Sequence, residues 1–580
     1  MRTWVDRFPG RLERELAEFG EHGLDFELDQ AQLEQQGRVV LRGVLVNDGE
    51  KIELEVRYPD LFPYLRPEVV APELQLGRHQ DPYDKNLCLL DPSTREWDSD
   101  ETAASLIVDR VPRLLGLLAP GAEDQLRKAE TPQGEPASIR FPSLPGTVVL
   151  VPGAALALSE SARAGSGRLA FSPSEPPRIE LRGLMIELVE KNQKGKVRAL
   201  AKAEEELSRN FGGEQIPFRW VRLREAPAEN TVDAVLEATE AAQQGSGAPP
   251  WHAVPGGRIA ISAVVFREEV AQGKSGDAWL FVVRVRQDSQ GKGAYLVRGQ
   301  PLSRETLEAR LPSSVRLGRS TVSLVGLGSV GSDLAVELAR AGIAELRAMD
   351  PDTVEAGSTV RWALGQGSAG RWKVGALARR IAQDYPYTLF KPTIHRLGQS
   401  AHRRTAREYS ELEVLVTFLE GTDLLIDATA EIGVQHVLAD LAMEWGVPQL
   451  YVSSTEGARG GLVARVLPGI TGCWLCLQHH LDDNETIPAP ARNASETVQP
   501  RGCAAATFVG AGFDILPVIA QGARVAAHTL TEELPSEEKH DDRHDVFVCS
   551  FGEDRLLPPE WSAHALVRHP ECKACAERES

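Results

Sequence analysis

The sequence predicts a multidomain protein that joins small α+β and α/β modules to a C-terminal doubly wound α/β domain. At 580 residues the chain is too long for a single hydrophobic core. Its texture changes at a Pro-, Gly- and Ser-rich stretch, "KAETPQGEPASIRFPSLPG", and again near residue 301. Beyond 301, strand and helix patterns alternate as they do around a largely parallel sheet. The expected domains are therefore residues 1–125, a linker domain over 126–300, and 301–580.

Within 1–125 an amphipathic helix is followed by two alternating strands, "GRVVLRGVLV" and "KIELEVRYP", then a Pro-rich turn and a loop holding Cys88. The closing helix is "ETAASLIVDRVPRLLGLL". The middle α/β domain offers strands at "RIELRGLMIELV", "FRWVRLR", "RIAISAVVF" and "DAWLFVVRVRQ", with helices expected near 196–209 and 231–243. It carries no catalytic constellation, so its expected role is to connect, space or dimerise its neighbours. In the last domain, "STVSLVGLGSVGSDLAVELARAGIAELRAMDPD" reads as strand, glycine turn, helix and strand, with "DLLIDATAE" and "PQLYVSS" as later buried strands.

Composition narrows the function. A hydrophobic content of 42% lets each domain bury a core. The formal charge of −19 disfavours a nucleic-acid or anionic-membrane partner, because both need clustered Lys and Arg. No stretch has signal-peptide character or approaches the roughly 20 apolar residues of a membrane span, so a cytoplasmic protein is expected. Seven thinly spread cysteines are then thiols, metal ligands or nucleophiles rather than a disulfide framework.

Gly326, Gly328 and Gly331 form GxGxxG between an apolar strand and a helix. Such glycines allow a tight turn and close backbone approach to a phosphate at a helix N-terminus. Asp350, at the end of the next strand, stands where a carboxylate accepts ribose hydroxyls. Alone, this pattern favours a nicotinamide dehydrogenase. Asp350, Asp352, Arg361 and Lys373 alter the reading, although each taken singly suits a solvated surface. Two carboxylates and two cations suit a site that splits ATP between its α and β phosphates, where Mg²⁺ and cations stabilise the departing pyrophosphate.

Cys473 and Cys476 form one C-x-x-C and Cys572 and Cys575 another. Four thiolates complete a closed tetrahedral Zn²⁺ site, which is structural because no position stays open. His479 and His480 are expected at the surface. Cys503 follows a polar stretch and precedes a helix, a setting in which a thiol is readily activated. Cys549, in "HDVFVCSF", reads as core. Cys88, far from any other cysteine, is either a small buried residue or a lone reactive thiol.

On these residues the part from about 318 to 580 resembles the ThiF/MoeB-like adenylating domain of ubiquitin-activating enzymes and of bacterial sulphur-carrier activators. The matching features are "VGLGSVGSDLAVELARAGIAEL", the DPD acids, Arg361, Lys373, "DLLIDAT", both C-x-x-C pairs and the cysteine between them. The resemblance implies that Gly326, Gly328, Gly331, Asp350, Asp352, Arg361 and Lys373 bind ATP, and that Cys503 receives the activated carboxyl group. In the family's pattern an Asn precedes the Arg and an Asp follows DAT; here they are Ser358 and Ala430. The Mg²⁺ role then falls to Asp427 or Glu431. Family members often borrow an arginine from a dimer mate, for which Arg316 and Arg319 are candidates.

The segment "YPDLFPYLRPEVV", His79, "NLCLL" and Trp97 before a helix resembles the ubiquitin-conjugating fold, which implies that Cys88 is the conjugating thiol. The usual His-Pro-Asn is His79-Gln80-Asp81 here, leaving Asn86 or His79 to take the asparagine's part. The whole order resembles the fused conjugating and activating enzymes of bacterial CBASS anti-phage operons. That resemblance implies ligation of a protein C-terminus, such as that of a cGAS/DncV-like nucleotidyltransferase, to a target lysine. A separate ubiquitin-like protein as the activated partner, a sulphur-carrier activator and a non-catalytic adaptor are the alternatives.

Overall fold

The structure is a computed structural model. It describes all residues except 1–2, 91–96, 130–133, 173–180, 192–196, 243–247, 255–256, 288–290, 399–409, 499–506, 532–543, 555 and 580. The chain divides into two compact units, Met1–Ser303 and Arg304–Ser580. No helix among the described residues is long and apolar enough to cross a membrane.

The first unit begins with an antiparallel meander of β1 (Phe26–Leu28), β2 (Val40–Asn47), β3 (Glu50–Arg57) and β4 (Glu68–Val70), paired in that order. Alternation turns Leu41, Leu45, Leu54 and Val56 inward, against helices Arg11–Glu21 and Ala103–Leu117. Glu15, fully buried, ties these helices to the sheet: its carboxylate accepts from Tyr58 Oη at 2.9 Å and Ala103 N at 2.8 Å. Trp97 donates its indole N–H to the Pro63 carbonyl at 2.8 Å, which pins the chain leaving the Cys88 loop.

The rest of that unit is a β-barrel. Its strands are β5 (Thr147–Pro152), β6 (Ala164–Phe171), β7 (Leu181–Lys191), β8 (Val197–Lys202), β9 (Gln215–Arg222), β10 (His252–Val254), β11 (Gly257–Ala271), β12 (Lys274–Gln287) and β13 (Gly291–Leu302). The pairing runs β11-β12-β13-β5-β7-β6-β9, and a parallel β9–β11 ladder closes the ring. Closure removes the exposed edges an open sheet would carry. Trp220, Trp279, Phe218 and Phe281 fill one face of its wall, and helix Val232–Ala242 covers a stretch of the other that includes Val264 and Phe266. The α/β expectation for this domain is thus corrected. Of the predicted helix near 196–209, residues Val197–Lys202 are strand β8 on β7, and only Glu205–Ser208 are helical. The alternation "VRALAK" seats Ala201 in the core, and that packing outweighs alanine's helix preference.

The second unit is the expected doubly wound domain. Strands β14 (Thr321–Val325), β15 (Glu345–Met349), β16 (Leu389–Thr393), β17 (Leu424–Asp427) and β18 (Gln449–Ser454) are parallel. Strands β19 (Gly460–Val466), β22 (Val546–Ser550) and β23 (Glu560–His564) extend the sheet antiparallel, and β20 (Thr497–Val498) and β21 (Thr507–Phe508) form a separate ribbon. The order β16-β15-β14-β17-β18 reverses direction at β14, so the crevice between β14 and β17 is where such folds bind ligands. Helices Ser329–Arg340 and Gly512–Thr531 pack on the sheet there, and Cys549 is fully buried in this core, as expected.

Candidate active site

The glycine turn sits at that switch point. Gly326 has φ 88°, and a Cβ added to it would lie 2.8 Å from the backbone of Ala428 in the loop after β17. A Cβ on Gly331 would stand 1.9 Å from the Gly326 carbonyl oxygen, so the first turn of helix Ser329–Arg340 packs directly under the loop. At Gly328 nothing lies within 4 Å of an added Cβ. That open space over a helix N-terminus is where a phosphate group can approach.

Charged groups surround the turn. Asp350, nearly buried, accepts from Leu327 N at 2.7 Å and Asp352 N at 2.8 Å, which fixes the turn to the end of β15. Lys373, opening helix Lys373–Asp384, bridges Asp350 and Asp352 at 3.3 Å each. Arg361 lies opposite, donating to Ser329 Oγ at 3.0 Å and Thr507 Oγ1 at 2.5 Å. Burial pulls its guanidinium below the ordinary arginine pKa. Trp362 donates to the Leu327 carbonyl at 2.8 Å and so holds the Arg361 segment against the glycine turn.

Asp427 ends β17, opposite Val325 in the register. It is 1% exposed, and Oδ1 accepts from Thr429 N and Oγ1 at 2.9 and 2.8 Å. Oδ2 is buried with no hydrogen-bond partner among the described residues. Burial pushes the carboxyl up to about 6. An orphaned buried carboxylate oxygen beside a phosphate cradle fits a divalent cation, which would repay its desolvation. Glu431 is exposed at the start of helix Ile432–Trp445, and Ala430, with φ 54°, offers no side-chain ligand atom. Ser358 stands in a tight turn whose carbonyl accepts from Arg361 N at 3.1 Å.

Both C-x-x-C pairs converge. The Cys473–Cys572, Cys476–Cys575 and Cys473–Cys476 sulfurs lie 3.5, 3.6 and 3.8 Å apart, and all four fall within 4.8 Å of one another. A tetrahedron with metal–sulfur bonds of about 2.3 Å has edges of about 3.8 Å, so the thiols fit zinc. Hydrogen bonding from Cys476 holds the Cys473 thiol below the ordinary cysteine range. His480 corrects the surface expectation: it is buried, its Nε2 3.0 Å from the Val567 carbonyl, because the C-terminal segment folds over it. His479 is half-buried and stacks on His569.

Cys503 lies outside the described residues. Cys88 is exposed, and its N–H donates to the His79 carbonyl at 2.7 Å. Gln80 and Asp81 are unavailable for chemistry there. Gln80 bonds Ala71 O and Leu76 N, while Asp81 accepts from Tyr83 N and pairs with Arg140 at 3.0 Å. Arg316 hydrogen-bonds the Thr531 carbonyl of its own chain.

Sequence reasoning missed Ser329, Thr507, Trp362 and Arg396. Trp362 adjoins Arg361 and could have been weighed with it. Arg396 pairs with Asp352 at 2.8 Å across the C-terminal ends of β15 and β16, a closeness that no spacing reveals.

Residues 302–534 match the ThiF family. Over 99% of its length the chain is 32% identical to the uncharacterised protein y4oA of Sinorhizobium fredii (strain NBRC 101917 / NGR234), covering 98% of that protein. It is 30% identical to y4qC of the same organism, with 91% of the chain and 90% of the relative aligned. The ATP-dependent ubiquitin transferase-like protein Cap2 of Enterobacter hormaechei is 28% identical over 27% of this chain and 24% of its own. The chain therefore belongs, along its whole length, to the family of y4oA and y4qC, and its C-terminal part is a ThiF-family adenylation domain.

Proposed function

We propose that the protein is a cytoplasmic, ATP-dependent protein-conjugating enzyme. The observation that carries the reading is the ring of Asp350, Lys373, Asp352, Arg361 and Asp427 around an open glycine turn within a ThiF-family domain. A redox dinucleotide has little use for so many charges. The carboxylate of a protein C-terminus attacks the α-phosphate of ATP, giving an acyl-adenylate and pyrophosphate. In this reading Asp350 accepts the ribose hydroxyls, and Lys373 and Arg361 balance charge on the phosphates. Asp427, with its unpaired buried oxygen, would hold a Mg²⁺ ion, which would supply further positive charge against the departing pyrophosphate.

Cys503 then displaces AMP to form a thioester, and Cys88 takes the acyl group by transthioesterification. A lysine amine completes an isopeptide bond. Tethering both thiols in one chain raises their effective concentration for each other. The meander, the pinned Trp97 and the exposed Cys88 support a ubiquitin-conjugating role for the first 125 residues. In this reading the four cysteines hold Zn²⁺ as a structural staple, the enzyme acts as a homodimer, and the substrate in an anti-phage CBASS operon is a cGAS/DncV-like nucleotidyltransferase or a ubiquitin-like protein. Ala430 favours a second reading, a non-catalytic adaptor, because it removes a carboxylate from the cation's surroundings.

The relay is tested with Mg²⁺-ATP and candidate substrates. Cys503→Ala should abolish loading of Cys88, while Cys88→Ala should leave loading of Cys503 intact. Cys88→Ser should trap an oxyester joining the substrate's C-terminus to residue 88. Absence of any adduct together with absent pyrophosphate exchange would favour the adaptor.

A further inference from the structure

We propose that the outer wall of the barrel binds a chain of linked phosphates across Arg258, Arg286 and Lys292. The three stand directly opposite one another on neighbouring strands: Arg258 of β11 faces Arg286 of β12, which in turn faces Lys292 of β13. All three are exposed, and alternation puts them on the face of Val264, Val282 and Leu296, which helix Val232–Ala242 covers farther along. Opposed like charges destabilise a strand pair, and here two such pairs adjoin. A glutamate at position 286 would turn both repulsions into attractions, so the barrel's own stability does not account for the row.

The neighbouring row extends the basic face. Arg284 stands opposite Ala260 and Ala294, so neither an acid nor a bulky side chain interrupts it. Arg284 Nε is buried with no hydrogen-bond partner among the described residues, and an anionic oxygen is what satisfies such a donor. The Trp251 ring lies under both guanidiniums, its centroid 4.2 Å from that of Arg286 and 5.8 Å from that of Arg284. Stacking fixes a guanidinium's plane and leaves its N–H edge for a ligand. Among the described residues no carboxylate pairs with Arg258, Arg284, Arg286 or Lys292.

Spacing selects the ligand. Neighbouring strands run about 5 Å apart, so the three cations span about 10 Å with no neutral position between them. Carboxylates projecting to one side of an extended peptide recur only every second residue, about 7 Å apart, and miss that spacing. A nucleic-acid strand would run past these four cations onto a chain of formal charge −19. A short phosphate chain carries charge at every unit and ends where the row ends, and arginine forks match phosphate oxygens. Free oligophosphate and the phosphate tail of a nucleotide share this chemistry. The domain read from sequence as a linker then carries a ligand site of its own.

The test follows lysine acetylation by acetic N-hydroxysuccinimide ester in the full chain at low salt, peptide by peptide, by mass spectrometry. Tripolyphosphate at about ten times its half-protecting concentration should slow the reaction of Lys292 about tenfold, as one competitive site requires, and leave Lys274, exposed at the far end of β12, unchanged. Arg258→Gln/Arg286→Gln removes two charge-assisted contacts at exposed positions and should raise the half-protecting concentration about tenfold or more. Guanosine triphosphate protecting at a lower concentration than tripolyphosphate assigns a nucleotide; equal or weaker protection assigns the free phosphate chain. Lys292 reacting as fast with millimolar tripolyphosphate as without it, or an unchanged half-protecting concentration in the double variant, overturns the proposal. Protection by hexaglutamate at a lower concentration than by tripolyphosphate overturns it in favour of an acidic peptide. The first readout needs no variant and so survives misfolding of the double variant. It is taken at Lys292 itself, so phosphate binding at the glycine turn does not register and failure of the adenylation reading leaves this test intact.

Discussion

Replacing Asp427 with asparagine should stabilise the ThiF-family domain and impair its chemistry. Burial raises the Asp427 carboxyl from 3.8 to about 6, so folding takes up a proton between those values. The group's contribution to stability is fully present below pH 4 and is lost as the pH rises through 6. At about 1.4 kcal/mol per tenfold change, the ionised carboxylate costs the fold about 3 kcal/mol at pH 7.5. Asparagine keeps the Oδ1 acceptor for Thr429 and leaves one unpaired polar atom where Oδ2 was, as the neutral acid does. Asp427→Asn should therefore match wild type near pH 4 and exceed it by up to about 3 kcal/mol at pH 7.5. Pyrophosphate exchange should fall about 100-fold, because the variant gives up a carboxylate that would hold the cation. Hydrogen exchange of peptides spanning 321–349, measured in denaturant at both pH values, isolates this domain from the barrel. A variant with the same pH slope as wild type, or with lower stability at pH 7.5, would refute the reasoning.

Gly331→Ala should destabilise the domain by about 3 kcal/mol, the upper end of ordinary overpacking, because its methyl would stand 1.9 Å from the Gly326 carbonyl. Gly328→Ala, with open space around its Cβ, should leave the denaturation midpoint unchanged yet weaken ATP binding in a nucleotide titration. Metal analysis should give about one zinc per chain. The Cys572→Ser/Cys575→Ser double variant should lose it and release helix Lys573–Glu579, seen as faster hydrogen exchange there.

Local pattern made much of the second unit legible. The apolar run before Gly326, the helical spacing after it and Asp350 at the next strand's end fix a βαβ unit whose hydrogen bonds and packing are short-range. Four cysteines in two C-x-x-C pairs likewise announce a tetrahedral site, although only the fold over His480 shows how the chain's end reaches it. The middle domain was less legible. Barrel closure depends on the β9–β11 ladder, a pairing between segments some forty residues apart, and alternation along a strand does not name its partner.

Sequence by itself singled out the residues proposed to bind ATP: Gly326, Gly328, Gly331, Asp350, Arg361 and Lys373 stand in one stretch, and residue type and spacing suffice to pick them. Tertiary structure decided which of them meet, and what else joins them. Arg396 comes to Asp352 from β16's end, Thr507 to Arg361 from β21, and Glu135 to His79 from a segment that composition marks only as a linker. It also decided that Asp427 is desolvated with one oxygen unpaired among the described residues. Each is a property of long-range burial, set by how the sheets and their connections pack rather than by any local run of residues.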